Sequence, residues 1–234
     1  MKKIHRFIFD TDLKETIQVR DQALLHQWAK VLRFKPGEEI EICDGRSHEA
    51  VYKVMSLEKR IAELERIGKV RDNTAEPKRH VTLYMAILKR EHTELVVQKA
   101  TECGVSEIVP LVSDRTIKKR AKLERLRDIA KEAAEQSGRG RVPLIHEPLS
   151  MKAALAHAEM NAANYFFHTD AERDIFKGVK AGHSRVGLFI GPEGGWSEEE
   201  AEQMLTHDLH VVSLGPRILR GETAAIVSIF LSTQ

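Results

Sequence analysis

The chain has 234 residues, of which 42% are hydrophobic and 31% charged, and its formal net charge is +2. This length suits one large domain or two small ones, and the apolar content excludes an intrinsically disordered chain. The charge is unevenly distributed: residues 115–141 carry ten Lys or Arg against four Asp or Glu, whereas residues 187–234 carry two against seven. Such polarity favours a polyanionic partner bound by one face, although a solvated basic helix would give the same pattern.

The sequence predicts a protein without disulfides, metal or a membrane span. Cys43 and Cys103 are far apart and form no C-x-x-C pattern, and the eleven histidines show neither H-x-x-x-H nor H-E-x-x-H spacing. No apolar run approaches the roughly 20 residues of a membrane helix. Asp10 and Asp12 interrupt the apolar stretch that a signal peptide would need. We therefore expect a cytoplasmic protein.

Residues 1 to about 72 are predicted to form a small β-barrel or sheet. The pairs Pro36-Gly37 and Asp44-Gly45 supply turns between strands, and a helical stretch, Asp21–Leu32, interrupts the pattern. The polar segment Val70–Lys78 reads as a linker. The strands are expected at Ile4–Phe9, Glu39–Cys43, Glu49–Met55 and Arg60–Arg66.

From His80 onward, strands alternate with helices, which is typical of an α/β domain with a mostly parallel sheet. Val81–Leu88 is almost continuously apolar, as a strand buried on both faces should be. Gly104 is placed to end a helix over Thr93–Cys103, and Ser197 with Glu200 forms a capping box for a later helix. Other strands are expected at Glu107–Val112, Asn164–His168, Val186–Ile190 and His210–Leu214, and other helices around 123–137, after Ser150 and over Thr223–Leu231.

Two loops of unusual composition, Gly191–Trp196 and Leu214–Thr223, follow the last two predicted strands. Ligands of open α/β sheets bind beyond the carboxyl ends of the strands, where glycine lets backbone approach a ligand closely. No G-x-x-x-x-G-K-[ST] is present, and the first strand of the domain runs into Lys89–His92 without a glycine. A P-loop and a dinucleotide fold are therefore disfavoured, although a tight turn alone would also explain the glycines.

Five segments, in this order, resemble the RsmE family of SPOUT RNA methyltransferases, and the resemblance extends over nearly the whole chain. The departures are Cys103, where a leucine is usual, Trp196, where phenylalanine is usual, and Gly221, where threonine is common. The segments are His26–Arg33, Gln98–Val105, Glu135–Arg139, Gly191–Trp196 and Leu214–Ala224.

The resemblance implies a PUA-like, RNA-binding β-barrel over residues 1–72. It also implies, over residues 73–234, a SPOUT-type α/β domain whose parallel sheet is tied in a deep trefoil knot. The family methylates N3 of a uridine in 16S ribosomal RNA of the small ribosomal subunit with S-adenosyl-L-methionine, and it works as a homodimer with a shared active site. These are expectations for this chain.

Arg220 and Glu222 are the predicted catalytic residues. The imide hydrogen of uridine N3 must leave before or during methyl transfer, and an arginine stabilises charge that develops on the flanking carbonyl oxygens. A nearby carboxylate accepts the proton or orients the arginine. Electrostatics alone also favours an acidic residue such as Glu222 in a first helical turn, so both interpretations stay open.

The resemblance also implies the residues that bind the cofactor. The cofactor would lie between the two loops, against Ile190, Gly191, Gly194, Gly195, Leu214, Gly215, Arg217, Ile218 and Leu219. Positive charge, and not the resemblance, suggests the RNA contacts: Lys118, Lys119 and Arg120 in the basic segment, Arg6 and Arg33 near the N-terminus, and Arg139, for which a solvated helix end is the alternative.

Two other functions remain compatible with the sequence. One is a SPOUT methyltransferase that acts on another RNA or on a ribose 2′-hydroxyl, which would require a base for a far less acidic proton. The other is a non-catalytic ribosome-assembly protein that binds RNA and retains an old cofactor pocket. The composition of both loops argues for a catalytic site.

Overall fold

The computed structural model describes residues 4–116, 122–169, 174–179, 182–207 and 209–234. They form two compact units. The first unit, here the N-terminal unit, combines Met1–Glu76 with Ala134–Arg141, and the second, the C-terminal unit, combines Pro77–Ala133 with Val142–Gln234. In the part of the chain so described, no helix has the length and apolar character needed to cross a bilayer.

The N-terminal unit contains a five-stranded sheet with the order β1-β3-β4-β5-β2. The β1–β3 pair is parallel and the other pairs are antiparallel. The core is built around Trp28, which is fully buried and packs its ring 5.1 Å from that of Phe7. The strands are β1 (His5–Ile8), β2 (Thr16–Val19), β3 (Glu39–Cys43), β4 (His48–Leu57) and β5 (Ala62–Asp72).

The predicted helix over residues 21–32 divides into two parts. Asp21 caps the short helix α1 (Gln22–His26), accepting hydrogen bonds from the backbone amides of the first turn. A π-helical turn, Gln27–Val31, follows, and its wider winding is shown by the bond from the Leu32 amide to the Gln27 carbonyl. This turn places Trp28 in the core. The predicted start of the linker, at Val70, was wrong because β5 continues to Asp72.

The C-terminal unit is an α/β structure around an eight-stranded sheet in which every described strand pair is parallel. The predicted α/β class with a parallel sheet is confirmed. The helices are α2 (Arg90–Glu102), α3 (Leu123–Ser137), α4 (Met151–Ala158), α5 (Glu198–Leu205) and α6 (Gly221–Thr233). The residues of α3 from Ala134 onward belong to the N-terminal unit. The strands are β6 (His80–Ala86), β7 (Glu107–Val112), β8 (Leu144–Ile145), β9 (Leu149–Ser150), β10 (Ala163–Phe167), β11 (Asp174–Ile175), β12 (Arg185–Ile190) and β13 (His210–Ser213).

The strand order β11-β13-β10-β12-β6-β7-β8 sets the position of the site. The central strand β6 is buried on both faces, and alternate residues contribute to two apolar clusters, Leu83 to one and Tyr84 to the other. Tyr84 stacks on Phe189 of β12 with ring centroids 4.4 Å apart. Because all these strands point the same way, the segments that follow β6, β10, β12 and β13 meet at one edge of the sheet.

A charged cluster lies at the opposite, amino-terminal edge of the sheet. Glu107 Oε1 accepts hydrogen bonds from Arg185 at 2.9 Å and pairs with the His80 ring at 2.8 Å, while Oε2 pairs with His146 at 3.0 Å. Burial acts to raise the pKa of Glu107, but these cationic and ring N–H partners hold it below its usual value. The pKa of His80 is also lowered, by burial and by Arg185, despite the carboxylate.

This cluster predicts acid-sensitive stability. A lowered Glu107 pKa stabilises the fold above about pH 4.3 and loses that contribution as the pH falls further. A lowered His80 pKa penalises the fold once the pH drops below about 6.5. We expect Glu107→Gln to cost about 1.5–3 kcal/mol at pH 7, measured by urea unfolding, and clearly less at pH 3.5. The exposed Glu147→Gln is the control, and an equal cost at both pH values would contradict the assignment.

Candidate active site

A cleft of about 700 Å³ lies at the carboxyl edge of the sheet in the C-terminal unit. It has the size of a site for a cofactor or other small ligand. The structure brings all the residues that were predicted from the two loops into its lining. These are Ile190, Gly191, Gly194, Gly195, Leu214, Gly215, Arg217, Ile218 and Leu219, together with Arg220 and Glu222.

Packing and hydrogen bonds hold the first loop, Gly191–Trp196, in place. Trp196 is buried and donates a hydrogen bond from Nε1 to the Phe167 carbonyl at 3.3 Å. A Cβ on Gly191 would lie 3.0 Å from this indole ring, so only glycine fits above it without displacement. Gly195 turns the chain with φ +70°, and Arg115 donates to the Gly194 carbonyl at 2.8 Å. The loop therefore presents backbone to the cleft in a fixed position.

The second loop, residues 214–220, presents an apolar side chain to the cleft. Gly215 has φ +103°, a conformation that favours glycine, and a Cβ there would meet open space. Ile218 lines the cleft and is 82% exposed. An isoleucine that is so exposed in a concave site offers an apolar surface that an aromatic ring of a ligand can cover.

The two predicted catalytic residues lie at the start of α6. Glu222 is buried in the first helical turn, whereas the side chain of Arg220 is 79% exposed. Arg220 Nη1 lies 3.9 Å from Glu222 Oε1, which is ion-pair distance and too long for a hydrogen bond. The other oxygen, Oε2, is buried without a hydrogen-bond partner among the described residues. A buried, unsatisfied carboxylate oxygen in a cleft is a candidate reactive group.

Two further residues of the site, His92 and Glu193, received no functional role in the sequence analysis. Glu193 Oε1 accepts a hydrogen bond from the Lys89 amide at 3.3 Å and lies 3.6 Å from His92 Nδ1. Burial acts to raise the pKa of Glu193, but backbone N–H groups and the His92 ring keep it below the usual value. The position of His92 just after a buried strand of the parallel sheet is the signal that points to it in the sequence.

The predicted RNA contacts have diverse environments. In the N-terminal unit, Arg6 binds Glu41 and Glu49, both at 2.6 Å, and Arg139 is buried against Glu76 at 2.9 Å. These buried pairs argue against a phosphate contact by Arg6 or Arg139, because each charge is already neutralised within the fold.

The other predicted RNA contacts are Arg33 and the three cations of the basic segment. Arg33 is exposed and has φ +56°, which is unusual for a residue with a side chain. Lys118, Lys119 and Arg120 lie outside the described residues. The basic segment predicted around them therefore remains a prediction.

One group of metal-ligand side chains occurs among the described residues: Glu107, His146 and His157. It lies in the charged cluster at the amino-terminal edge of the sheet, away from the cleft. Arg185 already neutralises Glu107, so a divalent cation would leave an excess of positive charge in a partly buried position. The geometry therefore does not favour a metal site there.

A parallel α/β sheet with a ligand-sized cleft, two glycine-containing loops and an Arg–Glu pair at its carboxyl edge defines an enzyme of the nucleotide- or cofactor-binding α/β class. Residues 74–232 match a family of RNA methyltransferase domains, and residues 29–66 match an RNA methyltransferase PUA domain. The chain is 30% identical to ribosomal RNA small subunit methyltransferase E of Buchnera aphidicola, with 97% of this chain and 92% of the relative covered.

Solved structures show the same similarity. A ribosomal RNA small subunit methyltransferase E from Neisseria gonorrhoeae, bound to S-adenosyl methionine, gives a TM-score of 0.87 at 30% identity and covers 97% of this chain and 95% of that one. A methyltransferase from Legionella pneumophila, in complex with the same cofactor, gives 0.88 at 27% identity over 97% and 96%. The chain belongs to the RNA methyltransferase family of these proteins, the RsmE family.

The loop geometry predicts a specific effect on ligand binding. Gly215→Val places a branched side chain where backbone faces the cleft, and it also strains a positive φ. We expect at least a tenfold loss of S-adenosylmethionine affinity by calorimetry, about 1.4 kcal/mol. Gly37→Val is the matched control, because Gly37 has φ +94° and open space but lies in the N-terminal unit. An unchanged affinity in folded Gly215→Val would remove this loop from the cofactor site.

Proposed function

We propose that this chain is an S-adenosylmethionine-dependent methyltransferase that methylates N3 of a uridine in 16S ribosomal RNA of the small ribosomal subunit. The observation that carries the proposal is the convergence of both glycine-containing loops, Arg220 and Glu222 on one cleft. The cofactor bound by the Neisseria and Legionella relatives supports the same reaction. The uridine and its N3 position as the methylated atom rest on the family resemblance.

The cleft fits the cofactor on several grounds. Glycine backbone at Gly191 and Gly215 can approach an adenine edge, and the exposed Ile218 side chain can cover the ring. Leu214 and Leu219 add apolar surface around it. When bound, S-adenosylmethionine supplies a methyl group on a positively charged sulfur.

The side chains of the chain itself orient the uridine and manage one proton. Arg220, largely exposed at the mouth of the cleft, donates hydrogen bonds to the uridine carbonyl oxygens and stabilises the charge that develops there. Glu222 Oε2, which lacks a partner among the described residues, accepts the imide proton as N3 forms its bond to the methyl carbon.

Besides Arg220, three exposed cationic side chains line the cleft, and we propose that they contact RNA phosphates around the target base. They are supplied by three different segments, so that they form a rim and not a single stripe. Positive charge at the entrance attracts a polyanion and raises its local concentration. The residues are Lys89, Arg115 and Arg217.

The proposal also includes the type of fold of each part of the chain. We propose a PUA-like β-barrel for RNA binding over residues 1–72 and a SPOUT domain with a trefoil knot over residues 73–234. The match of residues 29–66 to a PUA domain supports the first, and the interleaved strand order β13-β10-β12 supports the second. We also propose a homodimer in the cytoplasm. The dimer is supported by large apolar side chains, Leu95 on α2 and Phe230 on α6, which are exposed on helices that pack together.

Arg220→Ala separates chemistry from binding. Loss of one preorganised donor to developing charge typically lowers the rate by about a hundred- to a thousandfold, with little change in ground-state affinity. Methyl transfer to 16S ribosomal RNA under single-turnover conditions, together with cofactor affinity, measures both effects. A near-normal rate would remove Arg220 from the catalytic residues. If wild-type protein leaves 16S ribosomal RNA unmethylated but methylates another RNA, the proposed substrate is wrong.

Lys89→Ala tests the cationic rim. If Lys89 contacts one phosphate, its loss should weaken RNA binding and flatten the slope of log affinity against log salt by about 0.7–0.9. Lys152→Ala, on the exposed surface of α4, is a control of equal charge change. Binding curves that coincide for wild type and Lys89→Ala at every salt concentration would place the RNA elsewhere.

A further inference from the structure

The imidazole of His92 lies between two carboxylates from different segments of the cleft. His92 Nδ1 is 3.6 Å from Glu193 Oε1, in the loop after β12, and 3.9 Å from Glu222 Oε2, in the first turn of α6. Both His92 Nδ1 and Glu222 Oε2 are buried without a hydrogen-bond partner among the described residues. Two unsatisfied buried polar atoms that face each other require an explanation.

The protonation state of the ring decides whether this arrangement is favourable. A neutral ring protonated only at Nε2 would face the two carboxylates with the Nδ1 lone pair, and a neutral ring protonated at Nδ1 would donate one N–H without offsetting either negative charge. An imidazolium donates an N–H toward them and compensates the repulsion between two acids. The amino end of α2 opposes a cation, but its dipole amounts to about half an elementary charge, against two full charges on the carboxylates.

The surrounding charges are consistent with a cation at this position. Glu193 is held ionised, since its pKa lies below the usual value. Glu94, on the same helix as His92, is occupied by Arg90 and lies 3.8 Å from Arg125. Lys89, Arg115, Arg217 and Arg220 on the segments around the ring oppose a further cation and Glu91 favours one, but the carboxylates of Glu193 and Glu222 lie within 4 Å of the ring.

We propose that His92 is a positioning residue that, as an imidazolium, joins Glu193 to Glu222 and holds Glu222 ionised beside Arg220. The protonated His92 ring thereby links the first loop, Gly191–Trp196, to the first turn of α6. The inference rests on the proposed function for its effect on catalysis. In the reaction, the proton would leave uridine N3 for Glu222, the methyl group would pass from the sulfonium sulfur of the cofactor to N3 and leave a neutral thioether, and Glu222 would afterwards return the proton to water.

The inference gives the enzyme a pH dependence with two opposing causes. Higher pH favours loss of the uridine imide proton, which raises the rate. Loss of the proton from the His92 ring removes the cation between Glu193 and Glu222, so the two carboxylates repel each other and Glu222 leaves its position. The wild-type rate should therefore rise, pass through a maximum and fall.

Substitutions at position 92 separate charge from shape. We expect His92→Gln, which keeps polarity without charge, to lower the single-turnover rate about 10- to 100-fold near neutral pH. His92→Lys keeps the cation at high pH, so its rate should recover toward wild type and continue to rise where wild type falls. His207→Gln, an exposed histidine at the end of α5, is the matched control and should follow wild type.

The inference is overturned if His92→Gln follows the wild-type profile, or if His92→Lys is as slow as His92→Gln at every pH. A second measurement does not depend on activity. In a thermal-unfolding cycle of His92→Gln and Glu222→Gln, we expect a coupling of about 2–4 °C at pH 6 that disappears at pH 9. Additive shifts at both pH values would overturn the link. If wild type shows no methyl transfer, the proposed function fails, and this cycle still decides the role of His92.

Discussion

The parallel pairing of β6 with β12 is the constraint on which the C-terminal unit depends. Six consecutive residue pairs, from Arg185 with His80 to Ile190 with Met85, keep both strands in register and buried on both faces. A strand with no solvent face tolerates no one-residue shift, because every side chain would exchange faces. The pairing therefore fixes what lies beyond each end: the Glu107 cluster at one edge and the cleft at the other.

The same constraint explains why the cleft can be built from backbone. The loops after β12 and β13 and the segment after β6 begin at fixed positions, so short glycine-containing connections bring them close together. Gly221 shows the closeness, since a Cβ there would lie 3.3 Å from the Gly191 carbonyl oxygen and from Leu88. Glycine at this position avoids a tight contact between α6 and the first loop.

Much of the fold could be predicted from the sequence because its signals are local. The continuous apolar run of β6, the positive φ of Gly104 and the capping box of Ser197 with Glu200 each depend on a few neighbouring residues, and each is present in the structure. The strand order could not be read in this way, because it depends on pairing between distant segments. The short strand β2 (Thr16–Val19) was missed for the same reason.

The candidate site shows the same difference between local signals and contacts that depend on the whole fold. Glycine-containing loops after strands are a local signal, and all the residues predicted from them line one cleft. The roles of charged side chains are not local. Arg6 and Arg139 look like free cations in the sequence, but carboxylates distant in the chain neutralise them. His92 looks like a surface residue at the start of a helix until the fold places two acids beside it.

The burial of Glu222 shows why such neighbours matter. The helix α6 is apolar along most of its length and packs into the core through Ala225 and Ile229, which draws its first turn, with Glu222, below the surface. A carboxylate in that position loses water and depends on nearby groups for its charge. Arg220 on the solvent side and His92 on the protein side are the cationic candidates within 4 Å. One of them can turn toward a substrate while the other stays, so the carboxylate remains compensated when a substrate enters the site.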